Sequence, residues 1–582
     1  MNSLFLAISG LILFGVGYRY YASYLAKKVF STNQFSGIVP AKEFEDGVDY
    51  VPTPKNILLG HHFTSIAGAA PIIGPCIAAY WGWLPAFLWV VLGAIFFGAV
   101  HDFGALVISV KEKGKTIADI TGIIINKRVK IIFLFFVMML SWLVMAVFSM
   151  AIAGLFVNMP TAVLPINIEI FIAVLAGILI YRKKFNALSV SIVGLVILYT
   201  FVYVGSFTPI SFEVYGLEKP DQLNLWIFLL FIYSAVASLL PVWVLLQPRD
   251  YLNSHQLIVG LFLIYSGIFI SQPEIEAPMI RSVEEGGQSL FPLLFVTIAC
   301  GAISGFHGLI ASGTTSKQIS DIKHTKIIGY GSMLGEAALA LASIIAAVAG
   351  ISLVGKCNLP SIGYVENLSW NIYYDTWAHS ATNKATAFVL GGGALIESLG
   401  VSADLAKTIT AVLVISFAAT TLDTATRVQR FILTEVGTSI NNKLLKNRYF
   451  STIVAIIPAL FLTFWSVADP VTGSKIKAGW ALWPIFGASN QMLAALILMM
   501  MSIYFWRQNK PILSLIIPFF FITITTLISL IINAKSFINN NLLLFTIEII
   551  FIMLITWILY EGFIVCRQIK LKVKKETKYH NV

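Results

Sequence analysis

The stretch GHHFTSIAGAAPIIGP, residues 60–75, decides how the chain is read. It is apolar enough to lie in a membrane, yet Pro71 and Pro75 would each remove a helix hydrogen bond and crowd the preceding turn. Gly68 and Gly74 add further freedom. Backbone left unpaired in hydrocarbon costs several kcal/mol per group, so a broken span persists only where it lines a cavity. The stretch also opens on two ionisable side chains, His61 and His62. It therefore predicts a discontinuous helix beside an internal site.

The surrounding sequence supports a membrane setting. Of 582 residues, 58% are apolar and only 12% charged, and mean hydropathy is +0.85. A soluble chain of that composition would lack the polar surface to cover itself. Uncharged runs near 20 residues, the length a bilayer requires, recur throughout. About fifteen spans are expected, at 3–18, 57–80, 85–110, 130–157, 166–181, 187–208, 224–246, 256–271, 290–312, 327–354, 404–425, 449–467, 479–506, 511–533 and 543–566. Met1–Tyr18 lacks the basic start and cleavage site of a secretory signal, so it reads as a retained span. The four cysteines show no disulfide or metal-binding spacing. The +11 net charge lies between apolar spans, which points to membrane lipid and not to nucleic acid.

Positive charge orients the spans. With the N-terminus outside and strict alternation, the inner segments hold 31 of the 39 Lys and Arg residues, leaving 8 outside. The C-terminus is then cytoplasmic. Alternation requires that 384–400, with its Gly391-Gly392-Gly393 run, forms an outer helix or a re-entrant piece.

Two more stretches exceed ordinary small-residue packing. In ASLLPVWVLLQPRDYLNS, 237–254, Pro241 interrupts a span that Gln247-Pro248-Arg249-Asp250 is expected to end; Ser238 lies beside the break. In CGAISGFHGLIASGTTSKQI, 300–319, glycines surround Ser304 and His307, and Ser312, Thr314, Thr315 and Ser316 crowd the end. The first two broken spans stand five apart and so run in opposite directions. This is the pattern of a five-plus-five inverted repeat with a site at the midplane. The expected fold is an all-α polytopic protein with a LeuT-like core, one helix before it and four after. The expected parts are a first helix and linker (1–56), a core (57–435, with halves 57–208 and 224–435), four further helices (436–566) and a basic tail (567–582). In a LeuT-like core, the third stretch supplies hydroxyls to an ion site against the first broken helix.

The chain resembles the carbon starvation protein A (CstA) family of bacterial inner-membrane transporters. The resemblance rests on the three broken stretches, on WGWLPAFLW (81–89) and GAVHDFGALVIS (98–109), and on TTLDTATRVQRFILTE (420–435). FGASNQMLAAL (486–496) adds to it less firmly. It implies uptake of peptides or pyruvate, in some members proton-coupled, in the response to carbon starvation.

Ionisable residues inside spans usually face a cavity. Here these are His61, His62, His101, Asp102, His307, Glu336 and Asp423. Several also have ordinary structural readings. The paired histidines can cap backbone, Asp102 can pair with a cytoplasmic-side base, and Asp423 can pair with Arg427 one turn on. The candidate substrate and ion site comprises His61, His62, Gly68, Pro71, Ser238, Pro241, Ser304, His307, Ser312, Thr314, Thr315 and Ser316. His101, Asp102, Asp423 and Arg427 form a proton relay or structural pairs. No nucleotide, hydrolase or zinc motif is present, so no cofactor or metal is expected, and transport would draw on an ion gradient. Histidine suits protons, and the hydroxyl cluster suits sodium. Competing readings are a membrane-embedded redox or metalloenzyme, and a channel or sensor.

Overall fold

The computed structural model describes residues 1–47, 49–282, 287–359, 363–382, 385–468 and 475–579. Its main helices are α1 (Ser3–Val16, helical on to Val29), the pair α2 (Lys55–Ile66) and α3 (Ala70–Ala78), α4 (Trp83–Lys111), α5 (Lys127–Asn158), α6 (Pro160–Arg182), α7 (Ala187–Phe207), α8 (Lys219–Leu239) and α9 (Leu246–Ser271). They continue with α10 (Leu290–Thr297), α11 (Gly305–Gly313), α12 (Ile322–Val348), α13 (Thr386–Glu397), α14 (Ala403–Ser439), α15 (Arg448–Phe464), α16 (Trp483–Trp506), α17 (Leu513–Phe537) and α18 (Leu542–Tyr579).

Among the described residues, 12 helices are long and apolar enough to cross a membrane, and 13 if the bent α2–α3 pair is one span. Two of the fifteen expected spans fall short for identifiable reasons. The 290–312 segment is split into α10 and α11, of 8 and 9 residues, by non-helical backbone. The 449–467 segment forms the 17-residue α15. At 1.5 Å per residue such a helix reaches about 25 Å, a little under a hydrocarbon core. The 384–400 segment forms α13, a 12-residue buried helix too short to cross. Two small β-hairpins interrupt the otherwise helical chain, Lys356–Leu359 with Gly363–Glu366 and Ser466–Ala468 with Lys475–Lys477.

The breaks follow from local chemistry. Between α2 and α3 the chain bends by 47°. Pro71 falls in the first turn of α3, where its missing N–H is harmless. Gly68 sits in the bend, and a Cβ there would collide with Thr421 Oγ1. The second break differs from expectation. α8 ends at Leu239, and Leu240 is extended at φ −67°, ψ 148°, as a residue preceding proline prefers. Gln247-Pro248-Arg249-Asp250 does not end that span but opens α9, which starts at Leu246 rather than near residue 256. A proline in a first turn has no intrahelical bond to lose.

The most apolar windows of α12, α14 and α16 are 89%, 89% and 100% buried, whereas that of α7 is 22% buried. These three helices therefore form the centre, and α7 lies at the lipid face. α14 packs along α5, α8 and α9, and α16 contacts α11 and α4. α18 continues as a helix through the basic residues after 566 as far as Tyr579; residues 580–582 lie outside the described part.

Candidate functional site

Two clusters of buried ionisable groups flank the breaks. The first joins α4, α11 and α12. Asp102 has one carboxylate oxygen 2.7 Å from His101 Nδ1 and the other 2.8 Å from His307 Nδ1. His307 Nε2 lies 3.3 Å from Glu336 Oε2, an ion-pair distance without hydrogen-bond alignment. All four side chains are buried. His62, on α2, meets Thr315 Oγ1 through Nδ1 at 2.9 Å, and its Nε2 is buried without a partner among the described residues. Asp102 and His307 lie within its electrostatic reach.

Two acids and two imidazoles in this arrangement have the chemistry to share protons. An ionised Asp102 only accepts, so both Nδ1 atoms must carry hydrogen. His307 Nε2 and Glu336 Oε2 then hold one proton between them. The cluster carries one net negative charge when both imidazoles are neutral and Glu336 is protonated. One more proton brings it to neutrality.

The second cluster joins α2, α6, α8, α9 and α14. Arg249 pairs with Asp423 at 2.6 Å and donates to Tyr233 Oη at 2.5 Å. Tyr233 in turn donates to Asp423 Oδ2 at 2.8 Å. His61 Nδ1 lies 2.9 Å from Asp250 Oδ2, and Ser65 Oγ donates to the same oxygen at 3.3 Å. Glu169 accepts from Ser416 Oγ at 2.5 Å. The expected Asp423–Arg427 pair does not form. Asp423 turns toward α8 and α9, where Arg249 reaches it, and Arg427 Nη2 donates to the carbonyls of Ala237 (3.0 Å) and Leu240 (2.5 Å) at the end of α8. Asp102 likewise pairs with histidines, not with a cytoplasmic-side lysine or arginine. His61 and His62 sit within α2 on buried partners and do not cap its entry.

A cavity of about 300 Å³ borders the second cluster at His61 and Ser65. His61 and Ser65 of α2, Val242 and Gln247 of the second break, Ser312 and Thr314 at the end of α11, and Thr424 and Arg427 of α14 all line it. The first two broken stretches and the third thus border one space. Pro241 lies in the break itself, and Ser238 donates to its own helix at Ala235 O. Ser312, Thr314 and Ser316 donate to the carbonyls of Gly308, Ile310 and Ser312, at 2.8, 3.0 and 3.1 Å. Ser304 lies apart, in a knot with Asn490 of α16, whose Oδ1 also accepts from Phe306 N at 2.9 Å. A smaller cavity of about 90 Å³, lined by Glu169, Tyr233, Arg249 and Ser416, lies on the other side of Asp423.

Sequence reasoning missed Glu169, Tyr233, Arg249 and Asp250 as site residues. Glu169 carried the same signal as His307, an ionisable group inside an apolar run. Arg249 and Asp250 were masked by Pro248, which marks a helix start here and not a loop. Among the described residues, no group of three or more His, Cys, Asp or Glu side chains is arranged to hold a metal ion.

These features define a polytopic helical membrane protein with interrupted helices, buried ionisable groups and an internal cavity. The family model described as "Carbon starvation protein CstA" matches residues 2–529, and the chain belongs to that family. Among similar proteins, the "Peptide transporter CstA" of Campylobacter jejuni is 30% identical over 576 residues, covering 90% of this chain and 80% of that one. The "Pyruvate/proton symporter BtsT" of Escherichia coli is 31% identical over 574 residues, covering 88% and 78%. Among solved structures, the Eremococcus coleocola manganese transporter aligns over 90% of this chain and 99% of its own, at 13% identity and a TM-score of 0.46.

Proposed function

We propose that the protein is a proton-coupled secondary transporter of the bacterial inner membrane, not an enzyme, importing pyruvate or short peptides in the response to carbon starvation. The observation that carries this reading is the buried His101–Asp102–His307–Glu336 chain, placed where α4, α11 and α12 meet; of these helices α11 goes on to line the cavity at Leu309, Ser312 and Gly313. It can load and release one proton without metal or cofactor. The names of the relatives, a peptide transporter and a pyruvate/proton symporter, support the cargo and the ion. The breaks in the second and seventh expected spans border one cavity, in keeping with a LeuT-like repeat over 57–435 flanked by 1–56 and 436–566.

The same reading assigns a state to the molecule. The cavity is bordered by Thr116, Lys317 and Glu435, which belong to or adjoin the positively charged segments assigned to the cytoplasm. The opposite end of the α2–α3 span is covered. Tyr374 Oη donates to Cys76 O at 2.6 Å, Trp370 Nε1 to Ala79 O at 3.3 Å, and the Arg281 guanidinium lies 4.3 Å from the Tyr80 ring centre. This is an inward-facing conformation, with the N-terminus outside and the C-terminus inside. Single cysteines at Arg281 and Lys446 should react with membrane-impermeant reagents from opposite faces. Labelling of both from one face would overturn the orientation.

Purified protein in vesicles should accumulate labelled pyruvate or labelled dialanine above equilibrium when the receiving side is alkaline. Accumulation should stop when the pH gradient is collapsed. Flux that needs no gradient would make the protein a channel. Loss of uptake on sodium removal, with no effect of the pH gradient, would move the ion site to Ser312, Thr314, Thr315 and Ser316.

A further inference from the structure

The cavity holds a positive charge that the proton chain and the Arg249 cluster do not use. Arg427 is 8% exposed and, among the described residues, forms no ion pair. Its Nη2 is committed to the carbonyls of Ala237 and Leu240. Those carbonyls belong to a helix C-terminus, whose dipole supplies about half an elementary charge. Beyond these carbonyls, Asp423, Asp49 and Asp250 act on the guanidinium only from outside ion-pair distance. Its Nε is buried without a partner, and so is the hydroxyl of Thr424. Thr424 and Arg427 are three residues apart on α14, hence on one face, and both line the cavity. Of the acidic residues lining the cavity, Glu435 is already held by Lys130 at 2.9 Å and Asp49 acts on Arg427 without an ion pair among the described residues; Asp250, behind the wall, is held by His61.

We propose that Arg427 and Thr424 form the receptor for the carboxylate group of the substrate. One carboxylate oxygen accepts from Arg427 Nε–H and the other from the Thr424 hydroxyl. This rests on the transport reading above and adds the group by which cargo is held. It also accounts for a single site serving a 2-oxo acid and a peptide, because both present a terminal carboxylate on a small body. Holding Nη2 on the end of α8 links cargo binding to the second helix break. A carboxylate pulling on Nε–H competes for the guanidinium with the carbonyls that close that end.

The test uses the full chain in vesicles and substrate exchange at equal pH, which requires no net proton movement. Arg427→Gln removes the charge. Arg427→Lys keeps it but gathers every donor on one nitrogen, so the separate Nε–H offered to the carboxylate while Nη2 holds the α8 carbonyls is lost. Each should raise the KM for pyruvate or dialanine about tenfold, the worth of one charge-assisted hydrogen bond, with the maximal rate changed far less. Thr424→Val should raise it about threefold. Dialanine amide, which lacks the charged carboxylate, should compete weakly against the wild-type protein and no more weakly against Arg427→Lys. An unchanged KM in folded Arg427→Lys would show that Arg427 only closes α8 and would overturn the inference. If Arg427→Gln fails to fold, the lysine and valine variants decide. If the wild-type protein exchanges neither substrate, the transport reading itself fails, and this inference fails with it.

Discussion

His307→Gln is expected to yield a folded protein that exchanges substrate across the membrane but accumulates none against a gradient. The glutamine amide can still donate to Asp102 and lie against Glu336, so the polar atoms keep partners and the fold is retained. What it cannot do is take a proton. In the wild-type cluster His307 touches both acids, at 2.8 Å to Asp102 and 3.3 Å to Glu336. Of the four it is the one member in reach of both acids, and so the one placed to carry a proton between them under the proposed mechanism. The energetic need is plain. A monocarboxylate entering a cell with a negative interior works against about 2.3 kcal/mol per 100 mV. One co-imported proton cancels that charge. A one-unit pH gradient then supports about tenfold accumulation, since one unit is worth 1.36 kcal/mol. The variant's accumulation ratio should fall to about one, with the exchange rate reduced much less. Counterflow and uphill uptake measured on the same vesicles separate the two. Unchanged pH-driven accumulation would make His307 a packing residue. It would leave Glu336 and His101 as the only proton-holding members of the chain.

His307 was legible in the sequence because an imidazole in the middle of a span requires partners, and those partners were then present on α4 and α12. The breaks were legible for a related reason. Proline and glycine act locally, so Pro71 and Pro241 mark interrupted backbone whatever packs around them. Pairings were harder to read, because they depend on which face of each helix turns inward. Asp423 and Arg427 are four residues apart and suit one another on an isolated helix. In the bundle Asp423 faces Arg249 across α8 and α9, and Arg427 faces carbonyls left open by the break at Leu240. An intrahelical rule loses to tertiary partners that burial makes stronger. Helix count was limited by geometry. The apolar content of 290–312 is that of a span, but Gly305 lies so close to Leu493 and Asn490 of α16 that a Cβ would clash with them. The close approach of α16 leaves two short helices in place of one long one. The same contact explains how Asn490, in a stretch that resembled the family only weakly, takes part in the interior.

Arg249→Gln is expected to be the most destabilising single change in the molecule, and more so than Asp423→Asn. Breaking a buried ion pair by removing one partner costs about 3–5 kcal/mol, because the other charge is left uncompensated. The two directions are not equivalent here. Asp423→Asn leaves Arg249 with Tyr233 at 2.5 Å and with Glu169 and Asp250 in its field. Its charge still has opposite neighbours, so the loss should fall near or below the low end of that range. Arg249→Gln leaves Asp423 and Glu169 repelling each other with the cation that pairs Asp423 removed. That loss should reach the upper end, seen as a sharp fall in thermal stability of the detergent-purified protein or as failure to accumulate in the membrane. The double variant Arg249→Gln, Asp423→Asn removes both charges, and should be more stable than Arg249→Gln alone by about 1–3 kcal/mol, the coupling expected of contacting residues. Equal damage from the two single changes, or strict additivity in the double, would mean that the pair carries no specific energy. The Asp423 layer also separates the two cavities, since Ala419 borders one and Arg427 the other, one turn to either side of it on α14. Among the described residues, Asp423 Oδ1 and Arg249 Nε have no partner, so under the proposed transport cycle the pair could be broken and remade. The double variant should therefore regain stability without regaining tight coupling. Its accumulation ratio should stay below that of the wild-type protein even where its thermal stability matches.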